Sequence, residues 1–367
     1  MRISTLRLLV TTFAVVSIFA PAVIADTRPS FHAMRVTKAP IIDGDLSDEA
    51  WQKAEEITGF TQHDPDDGKP ATQKTVVKVV YDNDAIYVGA MMYDTKPVTT
   101  LLGRRDNNLQ SDWFRIYIDS QHDRLTGAEF WINPSNVQVD GILYNDIYDD
   151  WSWDAVWLSS AKIVTGGWVA EARIPYSQLR FTAAQSQTWG INFFRTINKN
   201  SESDRLINTP KGQNGMVSRF ADLAGIEGIK PERAFEVMPY GVARSDLASR
   251  VDRLDPFTRP SDYKMDGGVD IKYGLTSNLT LTGTINPDFG QVEVDPAVVN
   301  LSQFETFFPE KRPFFTEGTQ MFRYGSGPAH YRANFNFYGP SWFYSRRIGR
   351  SPQGTGNLSY DFVDAPG

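Results

Sequence analysis

Trp113, Arg115 and Tyr117 share one side of a run whose other side carries Phe114, Ile116 and Ile118. A few residues on, Glu129, Trp131 and Asn133 oppose Phe130 and Ile132 in the same alternating way. Period-2 patterning assigns both runs to β-strands with one apolar face for a core. The second face is not an ordinary solvated surface of Lys, Thr and Ser. It mixes flat rings with guanidinium, carboxylate and amide groups. Such a surface suits sugars, whose C–H faces stack on rings while their hydroxyls take directional hydrogen bonds. Trp113, Arg115, Tyr117, Glu129, Trp131 and Asn133 are therefore the candidate carbohydrate-binding set. The alternative is an inner face covered by a loop or a neighbouring domain, with its polar groups satisfied internally. Tyr144, Trp151 and Trp153 are second-choice stacking residues, although Trp153 and Trp157 share a strand face with Ala155 and read as core.

Other chemistries find less. A glycosidase needs two carboxyl groups roughly 5–9.5 Å apart across the bond. Glu129 and Glu171 lie on polar strand faces and are the weak catalytic candidates, which no spacing rule selects from 44 acidic residues. Calcium takes six to eight oxygens, and crowded carboxylates otherwise repel. Asp119 and Asp123, in one hairpin loop, are the candidate calcium ligands. Asp146, Asp149, Asp150 and Asp154 form a second acidic stretch, and Asp64, Asp66, Asp67 and Gly68 read as a turn. A solvated acidic loop is the alternative for each. The four histidines are scattered without paired zinc spacing. Neither a phosphate-cradling glycine loop nor a strand–turn–helix serine motif is present, and there is no cysteine nucleophile.

These side chains need strands to position them, and the chain supplies many. Residues 1–25 read as an export signal: Arg2 and Arg7, then an apolar stretch from Leu8 to Ala20, then Val23-Ile24-Ala25 before Asp26. An exported chain of 367 residues with no cysteine must hold together by burial, sheet closure or bound ions, as bacterial envelope proteins do. A net charge of −7 without a basic block argues against nucleic acid as a partner.

Residues 34–226 read as short strands separated by turns, an antiparallel β-sandwich. Val76 to Tyr81 and Ile86 to Tyr93 meet at the turn Asp82-Asn83-Asp84. Trp153 to Ser159, Trp168 to Ile174 and Trp189 to Arg195 continue the series. A short helix is signalled at Leu46 to Glu55, with Ser47 as its cap. In the hairpin around Asp123 to Gly127, the pattern sets Tyr117 opposite Glu129, Arg115 opposite Trp131 and Trp113 opposite Asn133.

Residues 232–367 differ. Strands beginning at Phe235, Val269, Leu279 and Tyr331 alternate apolar with polar residues, and a long polar loop from Arg244 to Met265 is followed by a short connection. That pattern is barrel-like; a second soluble β-domain is the alternative. A short amphipathic helix is expected at 296–308, between Asp295-Pro296 and Pro309. About five or six strands fall short of the eight that close a membrane barrel, so the barrel is expected to be truncated in this sequence.

Several of these residues resemble landmarks of carbohydrate-binding module family 9. They are Pro40-Ile41-Ile42-Asp43-Gly44, Asp48-Glu49-Ala50-Trp51, Ile86-Tyr87-Val88, Trp153-Asp154-Ala155-Val156-Trp157, Gly167-Trp168, Glu171, Ile174-Pro175 and Trp189-Gly190-Ile191-Asn192. The runs Asn286 to Glu293 and Phe307 to Phe315 resemble a family of large, uncharacterised bacterial envelope proteins that join such a module to a C-terminal β-rich, barrel-like domain. The resemblance implies a jelly-roll-like sandwich that binds poly- or oligosaccharide at the outer membrane. It also implies structural calcium and an association with polysaccharide breakdown.

Overall fold

The computed structural model of the protein describes residues 28–231, 235–247, 261–276 and 279–286. The expected export signal, the helix at 296–308, the strand from Tyr331 and the two envelope-family runs (Asn286 apart) lie outside these residues.

The strands follow in chain order. The first seven are β1 (Ser30–His32), β2 (Met34–Arg35), β3 (Thr61–Asp64), β4 (Thr75–Tyr81), β5 (Ala85–Tyr93), β6 (Trp113–Asp119) and β7 (Gly127–Ile132). Then come β8 (Gln138–Tyr144), β9 (Tyr148–Asp150), β10 (Leu158–Val164), β11 (Gly167–Pro175), β12 (Ser186–Ile197), β13 (Glu202–Arg205) and β14 (Ala221–Glu227). A last group holds β15 (Phe235–Leu247), β16 (Ser261–Thr276) and β17 (Leu279–Ile285).

The first fourteen strands make a two-sheet sandwich. The larger sheet runs β1-β14-β12-β6-β7-β8-β9, with β13 also on β12 and β3 on β13; the smaller runs β10-β11-β5-β4-β2. Two of the pairings, β1 with β14 and β2 with β4, are parallel. Between the sheets lie Phe114, Ile116, Ile118, Phe130 and Ile132 from one side, and Val77, Val79, Val88, Trp168 and Ile174 from the other, all buried. The expected hairpin register holds where the ladder extends: Arg115 faces Trp131 and Tyr117 faces Glu129. The β-sandwich class expected from the strand spacing is the one observed.

Three expectations change in detail. Trp153 to Trp157 is irregular, and strand β10 starts only at Leu158. The reason is local: the buried Asp140 carboxylate accepts the Ala155 N–H, and Gln178 Oε1 accepts that of Val156, so these donors never reach a ladder. The helix, α1, covers Glu49–Lys53 rather than 46–55, and Asp48 holds the N-cap position. Ser47 makes no cap, while Asp48 Oδ2 instead accepts the Ile41 N–H at 2.8 Å. The polar loop after β15 is shorter than expected, because β15 and β16 pair from Phe235–Tyr273 out to Leu247–Ser261.

Helix α1 packs on the outer face of the smaller sheet, and Glu171 ties it there. Its Oε1 accepts Trp51 Nε1–H at 2.8 Å, and its Oε2 accepts the N–H groups of Gly44 (2.6 Å) and Asp43 (3.0 Å). Gly89 permits the approach, since a Cβ there would stand 2.8 Å from Leu46 Cδ2. Glu171 is thus a fastener for segment 40–54.

Phe130 is fully buried and meets Trp153 and Trp157 edge-on at 6.2 and 5.2 Å. Phe130→Ala is expected to cost about 3–5 kcal/mol of unfolding free energy, read from urea denaturation of the whole chain. A loss below about 1 kcal/mol would show that this ring is not a keystone of the inter-sheet core.

Candidate functional site

The outer face of the larger sheet is built in cross-strand rows. One row reads Val139 (β8), Trp131 (β7), Arg115 (β6), Phe194 (β12), Arg205 (β13) and Thr61 (β3). The rows beside it place Glu129 next to Tyr117 and Asn192, and Trp113 next to Thr196, Ser203 and Asp64. Alternation puts all these side chains on one surface.

That surface is largely roofed, which corrects the expectation of open stacking rings. Trp113 is 1% exposed and Trp131 3%; Tyr117, Glu129 and Asn133 are buried as well. The segment before β6 covers one end: Trp113 Nε1–H donates to Leu109 O at 2.9 Å, and Asn133 Nδ2–H donates to Leu101 O at 2.7 Å. The segment before β14 covers the other. There Met216, Val217 and Phe220 pack on Tyr117 and Phe194, whose rings lie 4.5 Å apart. The cause is energetic: indole and phenol rings left bare on a sheet expose much apolar area, and nearby loops gain by burying it.

What remains reachable lies between the two covers. Arg115 is half-buried, its guanidinium 3.8 Å above the Trp131 ring, and Nη2 reaches Thr196 Oγ1 at 3.4 Å. Arg205, also half-buried, stands 4.6 Å over Phe194. Beside Thr196 opens a polar cleft of about 520 Å³, lined by Asp64, Gln110, Asn198, Glu202 and Ser203 among others. On the far side of Trp131 stands Trp151, 41% exposed, its ring edge-on to Trp131 at 5.2 Å. Trp151 passes over Gly141, where a Cβ would sit 2.7 Å from the indole. Phe194, Thr196 and Arg205 were not among the sequence candidates. Alternation along Trp189 to Ile197 could have flagged the first two; Arg205 joins only because β13 adds to the edge of β12.

Glu129 is the electrostatic centre. Its Oε2 accepts Trp131 Nε1–H at 2.8 Å and its Oε1 accepts Trp151 Nε1–H at 2.7 Å. Burial outweighs these bonds and raises its pKa to about 7. The two weak catalytic candidates do not meet. Glu129 and Glu171 lie on opposite outer faces of a sandwich whose sheets stand about 10 Å apart, so they cannot flank one glycosidic bond.

Tyr144 stacks on Tyr148 at 5.6 Å and leaves β8 on the side opposite Leu143, away from the site. Trp153 packs against the inter-sheet core. Of the second-choice rings, Trp151 alone joins the site.

The calcium candidates are occupied by amides. Asp119 accepts the N–H groups of Asp123 and Arg124, while Asp123 accepts those of Leu125 and Thr126. This pair stabilises its own hairpin loop. Within the second acidic stretch, Asp146 accepts Met216 N–H (3.0 Å) and Ser218 N–H (2.8 Å), pinning the cover over Tyr117. Asp64 pairs with Lys211 at 2.7 Å. Among the described residues, Asp106, Asp140 and Asp154 do bring carboxylate oxygens within 4.8 Å of one another. Arg105 and the Ala155 N–H already serve Asp140, and burial, then the neighbouring Asp140, lift Asp106 to a pKa of about 6.

Residues 42–213 match a family model described as carbohydrate family 9 binding domain-like. That match spans most of the N-terminal sandwich, in agreement with the resemblance carried by its motifs. Residues 247–363 match a domain of unknown function (DUF5916). Similar solved structures include a carbohydrate binding module family 9 from Caldicellulosiruptor kristjanssonii in complex with cellotriose, at 19% identity, covering 55% of this chain and 94% of that one, TM-score 0.41. The same organism's module in complex with glucose gives 18% identity, 55% and 96% coverage and TM-score 0.40. A putative carbohydrate-binding protein from Bacteroides uniformis gives 10% identity, 55% and 100% coverage and TM-score 0.45. No curated protein matches.

The Glu129 environment has a measurable consequence. An acid whose folded pKa lies near 7 and unfolded value near 4.5 favours folding below pH 4.5, and that advantage is lost as pH rises to about 7. Glu129→Gln cannot ionise, so relative to wild type it should gain about 3 kcal/mol between pH 4.5 and 7.5, read from urea unfolding at both pH values. A pH-independent difference would show that Glu129 titrates normally.

Proposed function

We propose that this protein is an exported carbohydrate-binding protein of the bacterial envelope, holding poly- or oligosaccharide in association with polysaccharide catabolism. The observation that carries the reading is Trp151: an exposed indole locked by its Nε1–H to Glu129 and edge-on to Trp131, over which the half-open Arg115 lies, with the polar cleft further across the same sheet face. A pre-oriented ring next to directional donors and acceptors is what a pyranose needs, since little side-chain freedom is lost on binding. The family 9 match over residues 42–213 supports the same ligand class. The related structures' names mention cellotriose and glucose, which sets the first sugars to try. The export reading is supported by the pattern of residues 1–25.

On a glycan array and by calorimetry, the whole chain should bind at least one oligosaccharide. Trp151→Ala should weaken that binding about tenfold or more, ~1.4 kcal/mol, with an unchanged circular dichroism spectrum. A blank array for the wild type would sink the reading.

A membrane attachment is favoured by the sheet β15-β16-β17. Tyr263, Met265, Val269, Ile271 and Tyr273 line one face of β16, while Asp266, Asp270 and Lys272 line the other. Val237 and Ile285 flank the apolar face in register with Ile271 and Val269. Tyr263 and Tyr273 are ten residues apart, about 34 Å along the strand, or about 26 Å across a bilayer at a 40° tilt. Aromatic residues bounding an apolar band of that height are the pattern of an outer-membrane strand. The full chain should float with phospholipid vesicles in a density gradient, and Ile271→Lys should reduce the bound fraction. Equal flotation of both would place this face elsewhere than in lipid.

A further inference from the structure

Arg115 and Arg205 are poorly matched in charge. They flank Phe194 in one cross-strand row, on the strands that pair with opposite edges of β12. Each guanidinium is stacked on a ring, Trp131 at 3.8 Å and Phe194 at 4.6 Å. Each Nε is buried without a hydrogen-bond partner. Among the described residues, no carboxylate lies within ion-pairing distance of either. Nearby acids are engaged elsewhere: Glu129 with two indoles, Asp64 with Lys211, Asp67 with Asn208 and the Lys211 N–H. Burial lowers the Arg205 pKa below its ordinary value, and Arg115 lowers it further, against raising contributions from Tyr117, Asp64 and Asp67.

Half-buried cations normally sit beside anions, because an unmatched charge away from water is costly. A guanidinium fork held flat on a ring is fixed in orientation, and with Nε buried its two Nη groups form the edge that can take a carboxylate or sulfate in two parallel bonds. A neutral sugar needs no such pair of like charges; one hydroxyl is served by one donor. In the adjoining cleft Thr196, Asn198, Gln110 and Ser203 offer neutral donors and acceptors for the remaining hydroxyls, while its two carboxylates are already engaged, Asp64 by Lys211 and Glu202 by Thr72.

We propose, resting on the carbohydrate-binding reading above, that the ligand is an acidic sugar whose carboxylate or sulfate is held between Arg115 and Arg205. The anion supplies the counter-charge missing from the row, and the ring beneath each arginine holds the fork level. The Trp151 indole then stacks a neighbouring unit of the same oligosaccharide. Selectivity for charge over neutral polymer is the function this arrangement adds to the fold.

The test uses the whole chain and paired probes: oligogalacturonate against its carboxyl-reduced neutral counterpart, and κ-carrageenan oligosaccharide against its desulfated form, by calorimetry at 50 and 500 mM NaCl. At least one anionic probe should bind tenfold or more tighter than its neutral partner, with the ratio collapsing at high salt. Which probe wins distinguishes carboxylate from sulfate. Arg205→Gln should lower the anionic-to-neutral ratio, and the wild-type salt dependence stands as the independent readout if that variant folds poorly. Equal affinity for charged and neutral partners overturns the acidic-sugar proposal while leaving carbohydrate binding intact. No binding to any probe, combined with a blank array, removes both.

Discussion

Register in the central strands is the constraint from which the rest follows. On β6, β7 and β12 both faces are buried: Phe114, Ile116, Phe130 and Phe193 fill the space between sheets, while Trp113, Tyr117, Trp131 and Phe194 lie under the covering loops. A slip of one residue would drive Arg115 and Glu129 into the inter-sheet core and strip the loops of the rings they pack on. Because both faces resist, the row Trp131-Arg115-Phe194-Arg205 is held as firmly as the core itself. A site built on such strands is more exactly placed than one built on loops.

Holding covers over a sheet without cysteine calls for another fastening, and carboxylates provide it. Asp112 accepts Thr99 and Asn198 N–H groups, Asp146 those of Met216 and Ser218, Glu171 those of Asp43 and Gly44, and Glu202 that of Thr72. Each joins a strand or its flank to a distant loop through charge-assisted bonds to otherwise orphaned donors. The same habit explains why the Asp119–Asp123 loop resembles a calcium site in sequence: a carboxylate that collects amide hydrogens occupies the same kind of position as one that binds a cation. Sequence cannot separate the two, since the donors come from segments whose approach depends on the fold.

Charge and shape at the site are arranged on different principles. The rings are sunk, so they contribute stability and orientation more than contact, and the surface that solvent meets is guanidinium, amide and hydroxyl with a single bare indole. Glu129 links the two layers: it fixes Trp151 from below and, lifted by burial, is about half ionised at neutrality. An anionic Glu129 would compete with an anionic ligand for Arg115, whereas a neutral one would leave that guanidinium to the ligand. The orientation of Trp151 and the charge offered by Arg115 are thereby coupled through one carboxyl group.

The sequence alone determined the central strands, their faces and the hairpin register, because period 2 and the cost of driving charged groups into the inter-sheet core leave one solution. It therefore placed Arg115 opposite Trp131 and assigned Phe130 and Ile132 to the core. It also assigned the β-sandwich, through spacing and through motifs that the family match over residues 42–213 repeats. Tertiary structure alone decided exposure. Whether Trp113 or Trp151 meets solvent depends on where residues 94–112 and 206–220 come to rest, and those loops carry no periodic signal. Arg205 likewise reached the site through strand addition: β13 lies beside β12 by a backbone pairing that the arginine itself does not specify. Local alternation is encoded within a few neighbouring residues, whereas burial is set by atoms a hundred positions away.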